Sequence, residues 1–282
     1  MVTILLGITN LNSARKDSHS MALKEEQRQA DGNIFEGIIS FRAIVSSDNK
    51  GFNDRKIKTV YYSAEKLQKN SHEFSYIKAK SHELGFNIEI CPKEKIDSIT
   101  VGTSHGGIAI ECEDRTIPRI SRSFIPEKGF FVLLDGIEDP YNFGYALRSM
   151  YAAGVDGVIL NKRNWMNAAG IVCRSSAGAS ECLPMYIYDD PSDLLEFKSA
   201  NYSIVCTDID NSVSLYETSV PYPLLLVVGG EKRGISKKIL EMADLIVRLD
   251  YARPFPAALS AASAASIICF EISRQRGTYR LL

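Results

Sequence analysis

Two residues of unlike chemistry stand close together near the middle of the chain: an amide, Asn142, and six residues on a guanidinium, Arg148. An amide donates and accepts hydrogen bonds at once, while an arginine stays protonated and can clamp a phosphate or stabilise a developing oxyanion. A second group occupies 229–236 (GGEKRGIS), a glycine pair followed by a carboxylate, Glu231, directly after an apolar run. Each has a plainer reading beside the functional one. Arg148 could pair with Glu138 or Asp139 at the surface, and the glycine pair could be a simple strand-to-helix turn.

The elements that must position these residues follow from hydrophobic patterning. Residues 131–134 (FVLL) form a short apolar run closed by turn residues, as a buried strand does. Asp139-Pro140 punctuates the chain, Asn142 can cap, and Ala146, Leu147, Met150 and Tyr151 recur at helical spacing before Gly154. With a second apolar run at 158–160 the whole is a strand-loop-helix-strand unit, and a parallel sheet gathers its chemistry at the carboxyl ends of its strands. Further strands are expected at 185–188, at 202–207 ending in Thr207, at 224–228 leading into the glycine pair, and at 245–249. Helices are expected at 191–198, 237–243 and 257–276. The last is rich in alanine and serine, which permits close backbone approach, while Ile267, Ile268 and Phe270 predict substantial burial.

Upstream, the pattern tightens from Ile34, where Phe35-Glu36-Gly37 leads into a helix carrying Ile38 to Val45, and it predicts strands at 58–62, 86–90 and 108–111 and helices at 64–69, 73–84 and from 93. These add up to a smaller α/β sandwich. Residues 113–128 are charged and proline-bearing and mark the boundary, so the expected division is 1–120 and 128–282. Arg115, Arg119 and Arg122 in that stretch are either a solvated linker or a phosphate grip across the junction. Arg15, Lys16, Lys24 and Arg28 belong to a polar segment that reads as plain surface or as a phosphate-contacting arm.

The 282 residues leave room for two domains, and 45% hydrophobic with 24% charged residues is the composition of a soluble globular protein. A formal net charge of −1 excludes a generally basic nucleic-acid binder but not a local basic face. The six cysteines form no CxxC pair and have no histidine at ligand spacing, which points to reduced core thiols and to no metal site. The N-terminal MVTILLGI lacks a cleavage site and no apolar run is long enough to span a membrane, so a cytoplasmic protein is expected.

Taken together, Asn142-Phe143-Gly144 with Arg148, the run from Gly229-Gly230-Glu231 to Gly234-Ile235-Ser236, and the ending from Leu249 through Leu259 to Glu271 resemble the motifs of the SpoU/TrmH branch of the SPOUT RNA methyltransferases. Residues 174–184 add a weaker likeness. The N-terminal module is similar, more loosely, to a ribosomal-protein-like RNA-binding domain through Glu36-Gly37 and His105-Gly106-Gly107-Ile108. The resemblance implies a C-terminal SPOUT-type parallel sheet with a trefoil knot, a bound S-adenosylmethionine, and a homodimer whose interface builds the active site. It implies methyl transfer to a ribose 2'-hydroxyl of RNA, with ribosomal RNA favoured over transfer RNA. Carried over, Gly229 and Gly230 approach the cofactor, Leu249 and Leu259 line the adenine slot, and Thr207 lies nearby. Arg148 acts on the acceptor, oriented by Asn142 and Glu231, and Ser260 occupies the place of a third-motif amide. There the chain departs from the family: Ala258-Leu259-Ser260-Ala261-Ala262 stands where many members read Ser-Leu-Asn-Val-Ser. A second reading is therefore a catalytically weak RNA-binding member. A nucleotide-dependent oxidoreductase is discounted, because the glycine turn comes late and lacks the G-x-G-x-x-G spacing.

Overall fold

The computed structural model describes residues 33–47, 51–69, 71–102, 105–161, 168–230 and 233–278. The basic segment with Arg15, Lys16, Lys24 and Arg28 lies outside the described residues, as does Glu231.

Two sheets organise the chain. The smaller contains β1 (Ile34–Glu36), β2 (Ile57–Ser63), β3 (Asn87–Cys91) and β4 (Ile108–Cys112), in the order β1-β4-β2-β3. β2 and β3 run parallel, and β4 is antiparallel to both of its neighbours. Between the strands come α1 (Gly37–Ser47), α2 (Ala64–Lys69), α3 (Ser71–Leu84) and α4 (Lys93–Ile99). The period-two alternation of β4 serves two layers: Ile108, Ile110 and Cys112 join Phe35, Phe41, Tyr62 and Ile77 on one face, and Ala109 meets Ile96 on the other.

The larger sheet is wholly parallel: β5 (Phe130–Asp135), β6 (Gly157–Asn161), β7 (Met185–Tyr188), β8 (Ser203–Thr207), β9 (Val213–Ser214), β10 (Leu224–Gly229) and β11 (Leu245–Arg248). Its order is β7-β6-β5-β10-β8-β11-β9. Helices α5 (Pro140–Ala152), α6 (Ala169–Ser175), α7 (Ala179–Cys182), α8 (Leu195–Ser199), α9 (Lys237–Leu240) and α10 (Ala261–Arg276) accompany it. β5 and β10 are buried along nearly their whole length, which explains why they read as unbroken apolar runs rather than alternating ones. One core layer joins α5 and α10 through Phe143, Leu147, Met150, Ala265 and Ile268, and the opposite layer is built on Phe131, Phe197, Tyr202 and Ile239. The chain reaches the sheet edge at β9, returns to the middle for β10, and ends with α10 packed on α5. That order is compatible with the knot implied by the resemblance.

Several elements differ from expectation. Residues 34–36, expected only to lead into a helix, are a strand paired with β4. Val213–Ser214 is a short edge strand that no pattern announced. The last helix starts at Ala261, not at 257, and buries Ala261, Ala262, Ala265, Ile268, Cys269 and Ile272. Ile267 and Phe270, expected inside, are 40% and 51% exposed. Of the three arginines of 113–128, Arg119 and Arg122 lie at the exposed surface and Arg115 does not. Arg115 is buried and donates to the carbonyls of Ser180 and Leu183, Arg119 pairs with Asp189, and Arg122 donates to the Ile125 carbonyl. The stretch around Arg119 and Ile120 runs along the β7 edge, with Ile120 N–H on the Ile187 carbonyl at 2.8 Å, so it covers that edge. All six cysteines are free thiols, five of them buried.

Candidate functional site

Three adjacent parallel strands, β10, β8 and β11, end at Gly229, Thr207 and Arg248. Loops leaving neighbouring carboxyl ends must converge, and here they enclose a cleft of about 730 Å³. That volume lies within the range of small-ligand sites. Its apolar wall includes Val228, Leu249, Leu259 and Ile268, and its polar rim includes Asp208, Arg248 and Asp250.

The five residues expected to hold a cofactor, Thr207, Gly229, Gly230, Leu249 and Leu259, all line this cleft. The glycine pair has a further cause that sequence reading missed. A Cβ on Gly229 would meet the Gly234 backbone at 2.8 Å, and one on Gly230 would overlap the Gly136 carbonyl. The chain packs on itself here: Gly234 N–H donates to the Gly230 carbonyl at 3.0 Å and Gly234 has φ +61°. A side chain would push the turn off the loop that follows β5, whatever occupied the cleft.

The long loop 249–260 forms one wall of the cleft and is largely exposed. Tyr251 pins it, because its hydroxyl accepts the Leu259 N–H at 3.2 Å. Arg248 anchors the other end, donating to Asp250 at 2.8 Å and to the Ser212 carbonyl at 2.6 Å. The Ser214 hydroxyl and then Arg248 hold the Asp250 carboxyl below its ordinary pKa. No motif in the sequence singles out Tyr251, Arg248 or Asp250, because 250–256 falls between the strand expected at 245–249 and the helix expected from 257. Behind the cleft, burial pushes the Cys206 thiol up to about 12, which removes it as a nucleophile at neutral pH.

Asn142 and Arg148 are not among the residues lining the cleft; both lie on α5. Asn142 does not cap α5. Asp139 does, its carboxylate accepting the Asn142 backbone N–H at 2.7 Å with Pro140 in the first turn. Arg148 is exposed and makes no ion pair among the described residues, so the expected alternative partners, Glu138 and Asp139, do not hold it. An unengaged guanidinium keeps its donors for an external anion. Ser260 is the N-cap of α10, its hydroxyl accepting the Ser263 N–H at 3.2 Å, and its two neighbours Leu259 and Ala261 line the cleft.

No group of three or more histidine, cysteine or carboxylate side chains could hold a metal ion among the described residues. No helix among them is long and apolar enough to cross a membrane.

Known proteins match in the same places. The model of the SpoU rRNA Methylase family matches residues 129–270, and that of the RNA 2'-O ribose methyltransferase substrate binding domain matches 52–118. A putative TrmH family tRNA/rRNA methyltransferase of Staphylococcus saprophyticus subsp. saprophyticus is 30% identical over 195 residues, covering 67% of this chain and 78% of the relative. The 23S rRNA (guanosine-2'-O-)-methyltransferase RlmB of Shewanella oneidensis is 26% identical, covering 68% of this chain and 80% of its own. The AdoMet-bound rRNA methyltransferase from Sinorhizobium meliloti has the same fold, with a TM-score of 0.71 at 23% identity over 90% of this chain and 92% of that one. A cleft at three strand ends lined by Gly229, Gly230, Leu249 and Leu259, and a family model spanning 129–270, lead to one conclusion: the chain belongs to the SpoU rRNA methylase family of S-adenosylmethionine-dependent RNA 2'-O-methyltransferases.

Proposed function

We propose that this protein methylates a ribose 2'-hydroxyl of ribosomal RNA in the cytoplasm, holding S-adenosylmethionine in the cleft at the ends of β8, β10 and β11. The convergence of Thr207, Gly229, Gly230, Leu249 and Leu259 on that cleft carries the reading. Ribosomal RNA is favoured by the relatives named for 23S rRNA, and transfer RNA is the alternative because other relatives are named for both.

The cleft suits the cofactor chemically, with an apolar wall for the adenine beside a charged rim for the amino-acid tail. When bound, S-adenosylmethionine supplies an electrophilic methyl group. Leu249 and Leu259 would hold the base, and the Gly229-Gly230 turn, with no side chains, would leave the cleft open beside it. Arg148 clamps the phosphate next to the acceptor ribose and stabilises the charge that develops on its oxygen, with Asn142 and Glu231 orienting it. Ser260 contributes by fixing the start of α10 beside the cleft.

Two copies of the chain pairing through α5 and α10 would bring Arg148 of one protomer to the cleft of its partner. The exposure of Tyr141 and Tyr145 on α5 and of Ile267 and Phe270 on α10 supports this pairing. The division into an RNA-binding module, 1–120, and a methyltransferase module, 128–282, belongs to the same proposal.

Labelled methyl transfer from S-adenosylmethionine to bulk ribosomal RNA tests the reading. Arg148→Ala should lower the rate on the order of 100-fold, the usual cost of one transition-state charge donor, with cofactor affinity preserved. Continued methylation of RNA carrying a 2'-deoxy nucleotide at the mapped position would refute ribose chemistry. A wild type that binds both ligands but transfers nothing would favour the RNA-binding reading, and a single-chain mass in sedimentation would count against a shared site.

A further inference from the structure

Buried charge in this protein is concentrated away from the cleft, where the two sheets meet. Glu181 on α7 is 2% exposed, Arg55 is 5% and Arg115 is 3%, and the methyl-transfer reading uses none of them. Arg55 Nε and Asn53 Nδ2 each donate to Glu181 Oε2 at 2.9 Å, and Asn53 also donates to the Glu181 backbone carbonyl at 3.0 Å. Arg55 and Asn53 come from the segment that leads into β2, whereas Glu181 comes 126 residues later in sequence from Arg55. A second bridge crosses beside it. Arg174 on α6 pairs with Glu36 at the end of β1, and that carboxylate also accepts the N–H groups of Val101 and Gly102 at 2.8 and 3.0 Å.

The bridges end on a close-packed train of helices that leads to Arg148. A Cβ on Gly170 of α6 would overlap the Ile34 carbonyl of β1, one on Gly178 would overlap Ala43 of α1, and one on Gly144 of α5 would overlap Ser175. So α6 lies backbone against backbone on the small sheet, and α5 lies directly on α6. A displacement of the small sheet must therefore move the helix that carries Asn142 and Arg148, since close-packed interiors transmit strain.

We propose that Glu181, with Arg55 and Asn53, is a positioning residue that fixes the small sheet at a set offset from Arg148. The protein then selects an RNA site by the distance between the feature bound on that sheet and the ribose to be methylated. This rests on the methyltransferase reading for its activity readout, but not for its structural one. Buried charge suits the task because a carboxylate between guanidinium and amide donors is satisfied in one geometry only, whereas an apolar contact can slide.

The test combines hydrogen exchange on the full chain with single-turnover methylation of bulk ribosomal RNA. Glu181→Gln and the milder Asn53→Ala should raise exchange at 53–55, 101–102 and 178–183 while leaving β10 and β11 protected. In Glu181→Gln the single-turnover rate should fall on the order of 100-fold, with RNA and S-adenosylmethionine affinities held within about twofold. The double variant Arg55→Met/Glu181→Met removes both charges of the pair and leaves Arg115 on the Ser180 and Leu183 carbonyls, so it should regain part of the protection and of the rate, since an apolar pair can replace a buried ionic one. Unchanged exchange in Glu181→Gln overturns the clamp. Equal loss of cofactor affinity overturns it too, by marking a general weakening, and a double variant that regains protection without rate overturns the positioning role. If the wild type transfers no methyl group, the methyltransferase reading fails, and the exchange results still decide whether the junction is clamped.

Discussion

Ser260 holds the place where many family members carry an asparagine, and the structure gives it a local duty as the N-cap of α10. Serine and asparagine are both strong caps and alanine is a weak one, which separates capping from chemistry. Ser260→Ala should lower unfolding free energy in urea by about 1 kcal/mol, while Ser260→Asn stays within a few tenths. Methyl transfer per folded molecule should be nearly the same in both, and a large loss of rate confined to Ser260→Ala would instead give the hydroxyl a part in the reaction. The positions of the cofactor residues were legible in the sequence because motif order fixes them. Their cause was less so: Gly229 and Gly230 read as making room for a ligand, whereas the backbones of Gly136 and Gly234 already exclude a side chain there. Contacts between segments distant in sequence leave no local signal. Tyr251 went unnoticed for the same reason, since its partner Leu259 lies across a loop without periodicity.

Among the elements, α5 offers a test by sign. In a solvent-facing helix, replacing a glycine by alanine stabilises by up to about 1 kcal/mol through propensity alone. Gly144 sits inside α5 against Ser175 and the Ser176 backbone, where an added methyl finds no space. Gly144→Ala should therefore destabilise, by about 1–3 kcal/mol as overpacked cores do. It should also slow methylation by shifting Arg148, and an increase in melting temperature would show that α5 is free to move off α6. Strands of four or more residues were read from their apolar runs, and their ends shifted by a residue or so. The misses share a physical cause. β1 spans three residues and β9 two, too few for a period to show, and both are held by pairing partners distant in sequence. The start of α10 was misplaced because alanine propensity at 257 and 258 outweighed, on paper, the cap that Ser260 provides.

For the molecule as a whole, the boundary stretch read as a linker, yet it carries the buried Arg115 and lies beside a carboxylate whose charge depends on pH. Burial alone would raise the pKa of Glu181. The charges of Arg55 and Arg115 and the hydrogen bonds from Asn53 and Arg55 outweigh it and hold the carboxyl below its ordinary 4.5. A pKa lowered by folding means that the unfolded chain binds the proton more readily. The contribution of Glu181 to stability is then complete above about pH 4.5 and is lost as the pH falls below that value through the folded pKa. Asp190 and Asp250 are also lowered, but they are exposed, so salt screens what they add. Urea titrations of wild type and Glu181→Gln separate the two kinds of carboxylate. At neutral pH the variant should be less stable by about 3–5 kcal/mol, the cost of leaving buried arginines without their counter-charge. Below pH 4.5 the wild-type curve should fall toward that of the variant, and the gap at neutral pH should persist in 1 M salt, where the Debye length is about 3 Å. A gap that instead stayed constant on acidification would mean that Glu181 keeps no charge at the junction, and the clamp would have to be a packing contact alone.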